Sequence, residues 1–483
     1  MVAEHRLLGD RWSMPILVAL ALAAYAPVIG LSFFGDDFHV LYRLGVDRDL
    51  GTGSFFRPLP DWTHALNWWI AGPKPWAFRM VNVALLGLNG WLVFRLTRSL
   101  QRDVVGSPWT PRMAGVLFVL YPFHLEPQLW IVGRSTAMAT TFTLAALVIA
   151  RSALPDRTRQ FGVALFALLG PLCYESALLL PLLLLALWPA TGKGDGQPLL
   201  RLVGIALAFI LLNLLMRMLF TGQVANTYGT GFLQHPWHHY PTSAVKVAAR
   251  LFLPPVDDER LQLLRALVQI LLLVLGTWWI WRRTAQHGPH RRAWLAVVLP
   301  LAVSCMLPAI TGVSTRTGES DRFLYLPSAF LCMVVALAIA QLFKRSARVV
   351  VTVLLLVCSS VLLWRGFRPW IAASSTVDRV LEQVSRTSAP GTTYIVGLPG
   401  DIHGAYVFRN GFEHALLLHG ADTARIQRRG PVLEVRSGRE EARYEVVGRA
   451  DGNLLLTDTD TTFLRPFDAV WAWRSWQFDP VWP

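Results

Sequence analysis

Apolar residues in this chain gather in long unbroken runs, not in the alternating or amphipathic patterns of a soluble fold. A helix that crosses a bilayer needs about 20 consecutive apolar residues, fewer where neighbouring helices bury it. Runs of this kind fall at 13–33, 77–97, 112–124, 131–150, 161–174, 176–189, 201–220, 261–281, 293–310, 323–343 and 348–365. They predict an all-α polytopic membrane protein with about eleven transmembrane helices.

The polar connections between the runs carry a second pattern. After Arg6 and Arg11, every second connection is basic: Arg95/Arg98/Arg102/Arg112, Arg151/Arg157/Arg159, Lys193/Arg201, Arg282/Arg283/Arg291/Arg292 and Lys344/Arg345/Arg348. Excess Lys and Arg marks the cytoplasmic side. The N-terminus is therefore expected inside, with the first run acting as a signal anchor, and the C-terminus outside. The intervening outer connections collect the acids and histidines. The first of these, about 34–76, contains DWTHALNWWIAG, which puts Trp62, Leu66, Trp69 and Ile70 on one helical face. That spacing predicts an amphipathic helix lying in the membrane interface.

Beyond residue 365 the runs shorten. Of the chain's 31 acids, 14 lie in this part, and TTYIVGLP, PVLEVR, RYEVVG and NLLLTD read as strands between turns. Two domains are expected: a membrane domain over 1–365 and a small extracytoplasmic β or α/β soluble domain over 366–483.

Composition agrees with a membrane protein, at 53% hydrophobic and 16% charged over 483 residues. The net charge of +14 is not a nucleic-acid stripe, because the cations fall in short clusters between apolar runs. Nucleic acid is accordingly not an expected partner, and membrane lipids are. Cys173, Cys305, Cys332 and Cys358 lie in or beside apolar stretches without ligand spacing and read as core residues. Phosphate-loop, dinucleotide and HExxH signatures do not occur, which argues against ATP-driven transport.

Candidate chemistry concentrates in the outer connections, where ionisable groups at a membrane edge are functional candidates. Asp36 and Asp37 end the first apolar run in FFGDDFHVLYRL, with His39 beside them. Adjacent carboxylates at a low-dielectric edge suit a general base, or a divalent cation shared between them. Arg57 lies before the Pro-bounded turn of FFRPLPDW. His124, Glu126 and Arg134 surround one outer turn, and Glu175 follows in CYES. Asp321 and Arg322 directly precede a span, where a helix start can hold a phosphate. HPWHHY (235–240) has three histidines but no local acid, and reads as an interfacial loop, not a metal site.

Four of these segments together resemble a known family. FFGDDFHVLYR with FFRPLPDWTHALNWWIAGPKPWAFRMVNVALLGLNGWLVFRL, then LYPFHLEPQLWIVGRSTAMA, CYESALLLPLLLLAL and DRFLYLPSAFL, follow the order seen in C-type (GT-C) membrane glycosyltransferases. The likeness covers residues 13–345 and is nearest the protein O-mannosyltransferase-related group, in particular bacterial relatives of its tetratricopeptide-containing transmembrane members. It implies an inverting transferase that moves one hexose or pentose from a polyprenyl-phosphate sugar donor to a glycan, lipid or protein acceptor. The reaction is implied on the outer face of a bacterial plasma membrane. The resemblance makes Asp36 or Asp37 the base, with Glu126 opposite, and gives the donor phosphate to Arg134, Arg322 and Arg57. His39, His124, Glu175 and Asp321 are left to position substrate. No resident cofactor is implied beyond a divalent cation at the Asp pair. Two departures stand out: Gly35 replaces an aromatic before the acid pair, and the tetratricopeptide repeats are absent. The alternative activity is a flippase or transporter of a lipid-linked sugar, which usually shows internal repeats that this sequence lacks.

Overall fold

The computed structural model describes residues 12–51, 55–100, 108–190, 196–224, 235–256, 259–284, 288–342, 344–386, 393–396, 400–421, 426–429, 444–448, 454–458 and 470–472. Its helices in chain order are α1 (Ser13–Tyr25), α2 (Asp36–Leu41), α3 (Pro58–Ala71), α4 (Pro75–Leu100), α5 (Trp109–Val119) and α6 (Glu126–Leu129). Then come α7 (Arg134–Ala150), α8 (Asp156–Leu169), α9 (Leu180–Ala186), α10 (Gly196–Thr221), α11 (His239–Arg250) and α12 (Glu259–Thr284). The remainder are α13 (Gly288–Ser304), α14 (Met306–Thr311), α15 (Tyr325–Leu342), α16 (Arg345–Arg386) and α17 (Phe412–Leu418). Every one of the predicted apolar runs falls on a helix.

By length and apolarity, six helical segments among the described residues can cross a bilayer: Pro75–Leu100, Ile131–Ala150, Gly196–Thr221, Trp294–Thr311, Asp321–Gln341 and Ser346–Glu382. Shorter apolar helices occupy Ser13–Val28, Glu175–Ala186 and Leu263–Trp278. The protein is therefore a helical, multi-pass membrane protein. Burial separates core from periphery. Asp321–Gln341 buries 72% of its most apolar window and Ser346–Glu382 only 11%, so the latter presents its apolar surface outward.

The chain divides into two compact units, residues 1–31, 43–371 and 403–405 in the first, and 32–42, 372–402 and 406–483 in the second. In the first unit α4 is central and packs against α1, α5 and α7. Gly87 makes this possible, because a Cβ there would lie 2.5 Å from the Val18 backbone of α1. One face of α4 is polar despite its apolar surroundings: Arg79, Asn82 and Asn89 are fully buried at helical spacing. Their side chains satisfy loop and helix-end carbonyls, with Asn82 Nδ2 donating to Pro127 (3.1 Å) and Ile131 (3.2 Å) and Asn89 Nδ2 to Ala137 (3.0 Å).

The second unit begins with the turn that carries the acid pair. It also holds the C-terminal part of α16, which runs unbroken past residue 365 to Arg386. The three described sheets are small. β1 (Thr393–Val396) pairs in parallel with β4 (Ile426–Arg429) and β7 (Val470–Ala472), placing Thr393 opposite Ile426 and Tyr394 opposite Val470. β2 (Asp401–Ile402) pairs with β3 (Ala405–Tyr406), and β5 (Tyr444–Gly448) with β6 (Leu454–Asp458) as an antiparallel hairpin. Strands thus form at TTYIVGLP, RYEVVG and NLLLTD, and PVLEVR lies outside the described residues.

Candidate active site

In the second unit the Asp36–Asp37 turn is built by the backbone around Gly35. That residue takes φ 49° and ψ −117°, a conformation costly for a side chain, which explains glycine in place of an aromatic. Its N–H donates to the Val407 carbonyl at 2.8 Å. Helix α2 starts immediately after, and the two acids receive different surroundings. Asp37 is fully buried, and its Oδ2 accepts the Phe34 N–H at 3.0 Å, closing the turn. Asp36 is half-buried in the first helical turn, where the helix dipole favours a negative charge. His39 is exposed one turn further on, with Nδ1 3.3 Å from Nε2 of His414. The Tyr42 ring lies 5.3 Å from His414, and Phe38 stacks on Phe408 at 6.1 Å.

The remaining candidates belong to the first unit, where they form three ion-paired groups. Glu126 is fully buried at the start of α6, and Oε2 accepts the Arg322 backbone N–H at 2.9 Å. The Arg322 guanidinium donates to Oε1 and lies over the Trp130 and Phe323 rings, 5.4 and 4.9 Å from their centroids. Both oxygens of this carboxylate are thus occupied by one residue.

Glu175 forms the second group. Arg57 Nη2 approaches Oε2 at 2.7 Å and Arg217 Nη2 approaches Oε1 at 3.6 Å. Arg57 also covers the Tyr174 ring at 4.4 Å. Two guanidiniums thereby share a single carboxylate in a largely buried place. Asp321 forms the third group with Arg250, whose Nε and Nη1 donate to the Ser314 and Leu253 carbonyls at 3.0 and 2.7 Å.

Arg134 and His124 have other surroundings. Arg134 is fully buried and donates to Asn82 Oδ1 (2.7 Å), Asn67 Oδ1 (2.7 Å), Thr63 Oγ1 (3.2 Å) and the Phe78 carbonyl (3.0 Å). It ties α3 to α4. His124 is boxed by Phe118, Tyr121 and Tyr325, with Nδ1 2.9 Å from Ser328 Oγ. Helix α3 is the expected amphipathic helix: Trp62, Leu66, Trp69 and Ile70 are all more than half exposed, whereas His64 and Ala65 are buried. Its polar side holds Asp61, paired with Arg43 at 2.6 Å. Burial pushes the Asp61 carboxyl above its ordinary 3.8, with Arg43 opposing, and the same burial drives His64 well below 6.5 and keeps it neutral.

Sequence reasoning gave no role to Arg79, Arg217, Arg250 or His414. Arg79 donates to the Leu129 carbonyl at 2.9 Å and to Leu31, joining the first-loop entry to the α6 turn. Its signal was present as an arginine inside an apolar run at helical spacing from Asn82. His414 gives no such signal, because its contact with His39 spans 375 positions. Among the described residues no group of three or more His, Cys, Asp or Glu side chains is arranged to hold a metal ion.

No protein-family model matches the chain. Among curated proteins, it is 36% identical over 98 residues to protein O-mannosyl-transferase TMTC2 of Mus musculus, a stretch covering 20% of this chain and 11% of that protein. It is 33% identical over 135 residues to protein O-mannosyl-transferase Tmtc1 of Drosophila melanogaster, covering 27% and 15% respectively. The matched stretch is therefore a small part of these relatives' own length. Among solved structures, ArnT from Cupriavidus metallidurans bound to undecaprenyl phosphate aligns with TM-score 0.46 and 12% identity, over 94% of this chain and 99% of that one. The resemblance to the protein O-mannosyltransferase-related group, read above from four segments, is borne out by the curated relatives over the stretch they match.

Proposed function

We propose that this protein is an inverting glycosyltransferase that takes a single sugar from a polyprenyl-phosphate donor at the outer face of the membrane. Asp36 is the general base. It removes the proton from an acceptor hydroxyl as that oxygen bonds to the anomeric carbon. The bond from that carbon to the phosphate oxygen breaks, and polyprenyl phosphate leaves with the added negative charge. Asp37 holds the turn that aims Asp36.

The observation that carries this reading is the pair of guanidiniums on Glu175. One carboxylate neutralises only one of Arg57 and Arg217, so this largely buried place retains a positive charge suited to a leaving phosphate. Arg322 supports the same role while bound to Glu126, and Arg134 acts by fixing α3. Asp321, His124 and His39 shape the surroundings of substrate. The relatives' name, protein O-mannosyl-transferase, agrees with sugar transfer, and the acceptor here is a glycan, lipid or protein.

The test is incubation of the purified protein with radiolabelled polyprenyl-phosphate hexose or pentose, with nucleotide sugars as the comparison. Transfer from the polyprenyl phosphates alone, with inverted anomeric configuration, is expected. Transfer from a nucleotide sugar, or retention of configuration, contradicts the proposal. Movement of intact labelled lipid across proteoliposomes without transfer identifies the transporter reading instead.

A further inference from the structure

A described cavity adjoins the third ion-paired group, whose Arg250 forms part of its wall. It has a volume of about 610 Å³ and lies within the first unit, between α11, α12 and the turn at 313–316. That volume suits a small-molecule headgroup. Four cationic side chains line it, Lys246, Arg250, Arg265 and Arg316, and none of the described lining residues is acidic. Asp257 and Asp258, next in sequence to Val256, and the side chain of Glu259 lie outside the described residues.

Arg250 is neutralised by Asp321, but among the described residues no carboxylate pairs with Lys246 or Arg265. A second observation is independent of charge. Gln269, only 7% exposed, donates its Nε2 to the Ala249 carbonyl and leaves Oε1 buried with no partner among the described residues. A buried acceptor left unmatched needs a donor, and a ligand hydroxyl supplies one. The rest of the wall is mostly apolar, including Leu253, Leu263 and Val313, with the hydroxyls of Thr242, Ser314 and Thr315 among them. Along the same helix as Leu263, the side chains of Leu264, Leu267 and Leu271 are each more than half exposed.

Cations, a spare hydroxyl acceptor and an apolar track on one helix together select an amphiphile. We propose that this cavity binds the phosphate group of a membrane lipid, held by Lys246 and Arg265, with the lipid's apolar chain running along α12. The phosphate comes from a polyprenyl phosphate or from an anionic phospholipid of the bilayer. If from the former, the site holds the spent carrier after it has left the Glu175 place, and that link alone rests on the function proposed above.

The test measures binding to the full-length protein in neutral detergent by native mass spectrometry. The ligands are a polyprenyl phosphate, phosphatidylglycerol and the uncharged polyprenol. One bound phosphate lipid per chain is expected. Lys246→Glu or Arg265→Glu should weaken it at least tenfold, and Lys246→Arg or Arg265→Lys should restore it. Polyprenol should bind at least tenfold more weakly. Tenfold preference for polyprenyl phosphate over phosphatidylglycerol identifies the carrier, and equal binding identifies the phospholipid headgroup; both support a lipid-phosphate site. Binding that ignores both charge reversals, or that is as tight for polyprenol, overturns it. Should a reversal fail to fold, a benzophenone side chain at Thr242 in the otherwise unaltered protein gives the same reading. Capture of phosphate lipids over polyprenol supports the site, and equal capture refutes it. Sugar transfer is not a readout here, so loss of this site leaves the proposed reaction standing, and the reverse also holds.

Discussion

Asp37 commits one carboxylate oxygen to the Phe34 N–H in a fully buried turn, while Asp36 stays half-exposed in the first turn of α2. The two acids are neighbours in sequence but differ in what their removal does. Asp37→Ala leaves the Phe34 N–H without its acceptor and should cost about 1–3 kcal/mol of stability, read as a lowered melting temperature. Asp37→Asn keeps an oxygen there and should melt near the parent. Equal melting of parent and Asp37→Ala would remove the structural role. Asp61 offers a pH test at the same scale. Its folded carboxyl is raised above 3.8 by burial, so the folded state holds the proton more tightly than the unfolded chain. The stabilising contribution is present at low pH and fades as pH climbs from that value through the higher folded one. Asp61→Asn should therefore flatten the fall of melting temperature across that window. An unchanged pH profile in the variant speaks against it.

Helix α3 shows how much an element's pattern reveals. Its apolar face was legible in Trp62, Leu66, Trp69 and Ile70, because the interface and a 3.6-residue period fix those positions. What holds it was not legible. Asn67 and Thr63 bond Arg134 across 67 and 71 positions, and such partners leave no local trace. Arg134→Lys should therefore fail to restore what Arg134→Ala loses, because an ammonium cannot bridge several acceptors with a planar fork. Limited proteolysis of the 55–75 region reads this: faster cleavage in both variants is expected, and protection in the Lys variant contradicts it. The apolar runs likewise marked where helices form but not their ends. The 112–124 run ends as a helix at Val119, after which Tyr121, Phe123 and His124 pack as a buried aromatic turn. Tertiary packing, not local propensity, set that boundary.

At the scale of the molecule, alternating basic connections predicted which side each loop occupies, and the helices that form at every apolar run make that alternation meaningful. Orientation is testable with single cysteines in a background lacking the four natural ones. In intact cells Glu319→Cys should react with an impermeant maleimide, and Arg157→Cys only after permeabilisation. The opposite pattern inverts the topology. The candidate chemistry was legible as residue types in the connections predicted to lie outside, since ionisable groups at membrane edges are few. Their pairings were not, because Glu126 meets Arg322 across 196 positions and Arg57 meets Glu175 across 118.

All of this converges on one acid. Single-turnover transfer from a labelled polyprenyl-phosphate sugar should be compared in the parent protein and Asp36→Asn, with melting temperature as the control for folding. Loss of a general base should slow the chemical step by about 10²–10⁴-fold at unchanged donor binding and unchanged melting. A well-folded Asp36→Asn protein that transfers sugar at the parent rate would contradict the assignment of Asp36 as the base.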